Sequence, residues 1–147
     1  MKPLAILLLL AASLGCSHPS AGPPTVNSEA SEKATQRKED ADDFASGKEA
    51  RAWLADDKHV LFKASKEGVS KLVGDLYAAG APELRFGKIV SDKDLGDREF
   101  AGVLIAKLPT EPATRNRVFE AMNAFWKQMG DDPVKDEGQE FAGFMLD

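Results

Sequence analysis

Apolar positions are spread unevenly along the 147 residues. A dense block covers residues 3–14, broken only by Ser13, and scarcely a large apolar side chain follows it until Phe44. Beyond that point the pattern takes on regular periods. Residues 47–55 read as a short helix with Trp53 and Leu54 as its large apolar side chains and Ser46 and Glu49 spaced as a capping box. Residues 59–64 alternate as a strand, with Val60 and Phe62 on one face and His59, Leu61 and Lys63 on the other. Ser65 caps a helix whose Val69, Leu72, Val73, Leu76 and Tyr77 recur at helical spacing, and Gly80 with Pro82 stops it. A second strand is expected over 83–90, a polar turn over 91–98 and a third strand over 99–108, apolar on both faces and so central. Thr110 or the Glu111-Pro112 pair opens a second long helix with the stripe Val118, Phe119, Met122, Phe125, Trp126 and Met129, ended by Gly130. Residues 141–146 make the last strand.

This β-α-β-β-α-β succession, with two right-handed crossovers around a hairpin, predicts the strand order 4-1-3-2. It resembles the ferredoxin-like sandwich in topology, without a family motif. The expected fold is therefore α+β: a four-stranded antiparallel sheet with two helices on one face, preceded by the short helix. With Val60 and Phe62 turned to the helices, the opposite face carries Leu61, Val103, Ile105, Phe144 and Leu146, rimmed by His59, Lys63, Arg85 and Lys107. Five such residues do not stay wet in a soluble monomer. Either the 47–55 helix plugs the face with Trp53 and Leu54, or the face docks a protein partner or a second copy.

The block at the start, with Lys2 before it and Ser13-Leu14-Gly15-Cys16 closing it, reads as an export signal over residues 1–15. It is short for a membrane span, and no later segment approaches the roughly 20 apolar residues that one needs. Its end resembles the lipobox of bacterial prolipoproteins, in which the cysteine after the cut receives lipid. The usual Leu and small residue stand in inverted order here, as Ser13 and Leu14. Ser13 and Gly15 equally satisfy the small-x-small rule of an ordinary secretory cut. Cys16 is the chain's single cysteine, so an oxidising compartment offers it no intramolecular partner, which favours acylation. The resemblance implies anchoring to a membrane through Cys16. Ser17 in place of Asp implies the outer membrane, facing the periplasm, in a Gram-negative cell. Residues 16–46 read as a flexible linker, first Pro, Gly and Ser, then charged residues without the apolar face of a stable helix. Residues 47–147 make one domain.

The formal net charge is −5, and neither the linker nor the domain is basic, which argues against nucleic acid and against a polybasic grip on lipid. Residues 64–68 lack the Cys-x-x-Cys of metal-carrying relatives, and no iron–sulfur cluster has ligands. Residues 98–103 hold one aromatic where RNA-binding relatives stack several. Lys66 is a poor stand-in for the phosphate-binding Arg of acylphosphatase-like relatives. In Asp92-Lys93-Asp94-Leu95-Gly96-Asp97 a calcium loop would need acids where Gly96 and Val103 stand, so the run reads as a wet turn. His59 has no nucleophile motif to serve and reads as a surface residue. No catalytic residue, metal site or cofactor is expected. The function expected is that of a lipid-anchored, non-catalytic binding or interaction module of the cell envelope; the alternative is a small exported hydrolase with an unrecognised site.

Overall fold

The structure, a computed structural model, describes residues 27–61, 64–93 and 96–146. The leader and Cys16, together with Phe62 and Lys63, lie outside them. Among the described residues the elements follow in the order α1 (Asn27–Ser46), β1 (Lys48–Glu49), α2 (Ala50–Leu54), β2 (His59–Leu61), α3 (Lys66–Ala79), β3 (Glu83–Asp92), β4 (Arg98–Lys107), α4 (Pro112–Met129) and β5 (Phe141–Met145). The fold is α+β, a five-stranded and mostly antiparallel sheet between helices.

The two long helices form for the local reasons anticipated. Ser65 Oγ accepts the Gly68 N–H at 3.0 Å, and Gly80, at φ 106°, closes α3 in the left-handed conformation. At α4 the carboxylate of Glu111 accepts the N–H groups of Ala113 (2.9 Å) and Thr114 (2.6 Å), with Pro112 in the first turn. Both helices pack on one face of the sheet. Leu72 and Leu76 of α3 and Val118 and Met122 of α4 meet Leu84, Phe86, Leu104 and Phe144 in one buried cluster. Trp126 stacks on Phe144 with ring centroids 5.5 Å apart. Each fully buried side chain of this size contributes about 1.5–3 kcal/mol. Met129, at the end of the expected stripe, is exposed.

The expected order 4-1-3-2 is not the one observed. β3 and β4 form the expected hairpin and β2 takes the expected place beside β4, but it runs parallel to β4 where an antiparallel sheet was expected, and β5 pairs antiparallel with β4 and not with β2. The cause is the reach of β2, whose register, His59 against Glu99 to Leu61 against Ala101, covers only the first part of that edge. The remainder, Val103 to Lys107, is left for β5. A further strand, β1, adds to the outer edge of β3. It comes from residues expected to be helical: Glu49, not Ser46, caps α2, accepting the Ala52 N–H at 2.7 Å.

The expected linker is corrected as well, since its last 20 residues are the helix α1, lying across the face that α3 and α4 leave uncovered. One of its residues, Phe44, is buried, against Val103 and Ile105. The rest of its support is polar: Gln36 donates to Asp40, and Glu29–Lys33 and Lys38–Asp42 pair along the helix. An apolar stripe is absent because charge pairs and a single aromatic anchor take its place.

The facing of the strands changes partway along the hairpin. Leu84, Phe86 and Ile89 all face α3 and α4, as do Ala101, Leu104 and Ala106, so strict alternation fails between 86 and 89 and between 101 and 104. The switch sits where Lys88, at φ 51°, lies beside Gly102. A left-handed residue inside a strand costs on the order of 1–2 kcal/mol, and it swings the faces of both strands at one rung. Leu61, opposite Ala101, and Phe144, opposite Leu104, therefore join the main core with Leu146. Of the five residues expected on the open face, only Val103 and Ile105 are there. The cover over them is α1, not the 47–55 segment, whose Trp53 turns to the other side and packs on Phe86.

Candidate functional site

Phe44 fixes the C-terminal end of α1. Its ring lies 4.7 Å from that of Phe141, with Ile105 fully buried beneath and the Arg85 guanidinium 5.1 Å above. Arg85 also donates to the Gly47 carbonyl at 3.3 Å, tying the chain where it leaves the helix. Further back, Asp43, Asp40, Gln36 and Lys33 recur at three- and four-residue spacing and turn polar groups toward the sheet. The approach is close because Gly87 and Gly143 lie below. A Cβ on Gly143 would stand 2.9 Å from Asp40 Oδ1, and one on Gly87 would stand 3.0 Å from the Asp43 Cβ and 3.2 Å from its carbonyl oxygen.

Between α1 and the sheet this leaves a cleft of about 320 Å³. Val103, Phe141 and Met145 give it an apolar floor, and the loop after α4 closes its far side with Val134, Glu137 and Gln139. That loop is held from α4. Arg115 bonds both oxygens of Asp136 at 2.7 Å and the Gln139 carbonyl at 2.8 Å, while Asn123 exchanges hydrogen bonds with the backbone of Val134. The ion pair with Arg115 holds the Asp136 carboxyl below its usual range.

The charges around the cleft are unequally matched. Lys33 bonds Glu137 at 2.9 Å and Glu29 at 3.1 Å, Arg37 reaches the Glu137 carbonyl at 3.2 Å, and Lys88 lies 3.8 Å from Asp43. The bond from Lys33 holds Glu137 below the usual carboxylate range. Asp40 differs: its partner among the described residues is the neutral amide of Gln36, at 2.9 Å. Burial pushes its carboxyl above the ordinary value, with the neighbouring Asp43 adding to the shift and the Gln36 bond and the Lys88 charge opposing it. Chemically, the cleft offers apolar contact below and, at its wall, a carboxylate with no ion-pair partner within 4 Å among the described residues.

Val103 lines this cleft and Ile105 supports Phe44, whereas Leu61, Phe144 and Leu146 lie on the far face of the sheet. Of the expected rim, Arg85 serves α1, Lys107 lies 3.6 Å from Glu140, and His59 is on the other side. Cys16 and Lys63 are outside the described residues. The residues that sequence reasoning missed are those of α1. Their signal was present in the four-residue acid–base spacings Glu29/Lys33 and Lys38/Asp42, ending on a lone aromatic.

His59 is not the surface residue expected. Its ring stacks on Trp53, centroids 4.6 Å apart, and its Nδ1 lies 2.6 Å from the Trp53 carbonyl oxygen, which only accepts, so this nitrogen carries the hydrogen. Nε2 lies 3.2 Å from Glu99. Glu99 in turn accepts from Lys48 at 2.6 and 2.8 Å and from Trp53 Nε1 at 3.3 Å, and Lys48 keeps its carboxyl below the usual range. The group joins β1, α2, β2 and β4, and both ring nitrogens face partners that hold the fold.

Among the described residues, no group of three His, Cys, Asp or Glu is placed to hold a metal ion, and no helix is long and apolar enough to cross a membrane. Comparison with protein-family models, with curated proteins and with solved structures finds no match to this chain.

Proposed function

We propose that the chain is an exported, lipid-anchored binding module of the cell envelope, attached to a membrane through acylated Cys16 and taking up its ligand in the cleft under α1. The cleft carries this reading. It joins an apolar floor to a half-buried carboxylate with no cation within 4 Å among the described residues, a combination suited to holding a solute rather than to packing a core. One wall, α1, follows directly on the Pro-, Gly- and Ser-rich stretch after Cys16, so anchor and ligand-facing wall are consecutive in the chain. His59, the histidine of the folded part, is engaged through both nitrogens with Trp53 and Glu99, which fits a structural role for it. In a Gram-negative cell, Ser17 after the acylated cysteine supports the outer membrane, facing the periplasm.

Growth with a clickable fatty acid, followed by fractionation, tests the anchor. The wild type is expected to carry the label and sediment with membranes, and Cys16→Ser to be unlabelled and soluble. Equal labelling and sedimentation of the two would end the lipoprotein reading.

A further inference from the structure

We infer that the ligand of the cleft is a small organic cation, an ammonium or amidinium head on an apolar body, and that Asp40 is the residue that receives the head. This rests on the reading of the cleft as a binding site and adds the class of its occupant. The inference follows from which charges are already spoken for. Each cation that lines the cleft has a carboxylate within 4 Å: Lys33 has Glu137 and Glu29, Arg37 has Glu137, and Lys88 has Asp43. Glu137 and Asp43 are thereby matched in turn. Asp40 is the remainder, with Gln36 donating to Oδ1 and no cation within that distance among the described residues. A carboxylate has lone pairs for about four donors, so most of its accepting capacity is open.

The alternatives fit less well. An anion entering the cleft meets Asp40, while the cations that line it, Lys33, Arg37 and Lys88, already face carboxylates. A neutral apolar solute removes water from Asp40 and returns nothing, which is costly for a charged group. A cation supplies the missing charge, and its apolar part lies on Val103 and Phe141 beside Met145, whose exposed thioether side chain can follow ligands of different shape. The volume is at the low end of the roughly 300–1,000 Å³ of small-molecule pockets, which suits a small solute and not a folded partner. Gly143 belongs to the same recognition. Its missing side chain keeps the floor open next to Asp40.

The test is titration of the full chain with three probes that share one phenylethyl body, 2-phenylethylammonium, 2-phenylethanol and 3-phenylpropionate, followed through the amide resonances of Val103 and Gly143. The ammonium is expected to bind saturably, at least about tenfold more tightly than either of the others, a difference of about 1.4 kcal/mol. Asp40→Asn is expected to abolish that preference, and Glu39→Gln, on the exposed side of α1, to keep it. Melting curves of the variants confirm folding. Should Asp40→Asn fail to fold, loss of the preference in the wild type on acidification supports the inference, and its persistence there contradicts it. Equal binding of all three probes overturns the cation inference and leaves the cleft as a binding site. No shift at Val103 or Gly143 with any probe overturns both.

Discussion

The two faces of the sheet are covered in opposite ways. On one, α3 and α4 bury Leu72, Leu76, Val118 and Met122 against Phe86, Leu104 and Phe144 in a continuous apolar layer. On the other, α1 contributes Phe44 to a small cluster with Val103 and Ile105, and its remaining inward residues are charged or amidic. The first face can be filled because both partners carry apolar stripes that close-pack against the sheet. The second cannot, since the helix over it has a single large apolar residue to offer. Glycines at 87 and 143 bring the helix near, and the polar side chains hold it off again. A cleft is the geometric result. One face thus supplies the main apolar core and the other the candidate site.

The largest expected difference between the faces is in the cost of removing an aromatic ring. Phe144→Ala takes out a fully buried ring stacked under Trp126, and a loss of about 3–5 kcal/mol is expected. Chemical denaturation measures it. A loss below about 1 kcal/mol would mean that the α3/α4 face is not the principal core.

Next in size is the effect of filling the space under α1. Gly87→Ala sets a methyl 3.0 Å from the Asp43 Cβ and 3.1 Å from Val103 Cγ1, so the helix has to lift. A destabilisation of about 1–3 kcal/mol is expected, with faster amide exchange confined to α1. Gly102, whose Cβ would meet Lys88 at 3.3 Å, provides the comparison on the same hairpin away from α1.

The smallest effects are electrostatic, and the two regions differ in sign. Burial raises the Asp40 carboxyl, so the folded chain holds this proton more tightly than the unfolded one. The ionised group is therefore a burden at neutral pH, relieved as pH falls through the raised value and fully so below the ordinary one. Asp136 is held low by Arg115, so its contribution is present above the ordinary carboxylate value and lost as pH falls through the lowered one. Asp40→Asn should stabilise the chain at neutral pH by less than about 1 kcal/mol, and Asp136→Asn should destabilise it. The Asp40 difference should have faded by about pH 3, whereas the Asp136 difference should still be fading there, since it is lost only as pH falls through the lowered value. Denaturation midpoints at the two pH values check this, and a destabilising Asp40→Asn would contradict the assignment of Asp40 as an unmatched charge.

How far the sequence led depended on whether the relevant signal was local. The α3 and α4 stripes, the stops at Gly80 and Gly130, the cap at Ser65 and the hairpin of β3 and β4 are written in short windows and were all legible. The place of β5 was not, because it depends on how much of the β4 edge β2 occupies, a matter of register between strands far apart in the chain. The facing of Leu61, Phe144 and Leu146 was lost for a related reason. Alternation was carried through Lys88 and Gly102, where a left-handed lysine reverses it, and nothing in the local pattern announces that conformation. The helix α1 failed the test of an apolar face. Its stabilising contacts are charge pairs, and only the folded sheet shows that Phe44 has somewhere to go.

The cleft exists only if α1 belongs to the folded domain and forms its wall, and hydrogen exchange of the full chain with mass spectrometry tests that directly. In the wild type, amides of residues 37–46 should be protected well above the unstructured rate, and Phe44→Ala should abolish that protection while α3 and α4 keep theirs. Exchange of residues 37–46 at the unstructured rate in the wild type, with α3 and α4 protected, would contradict the account and return the segment to the role of a tether.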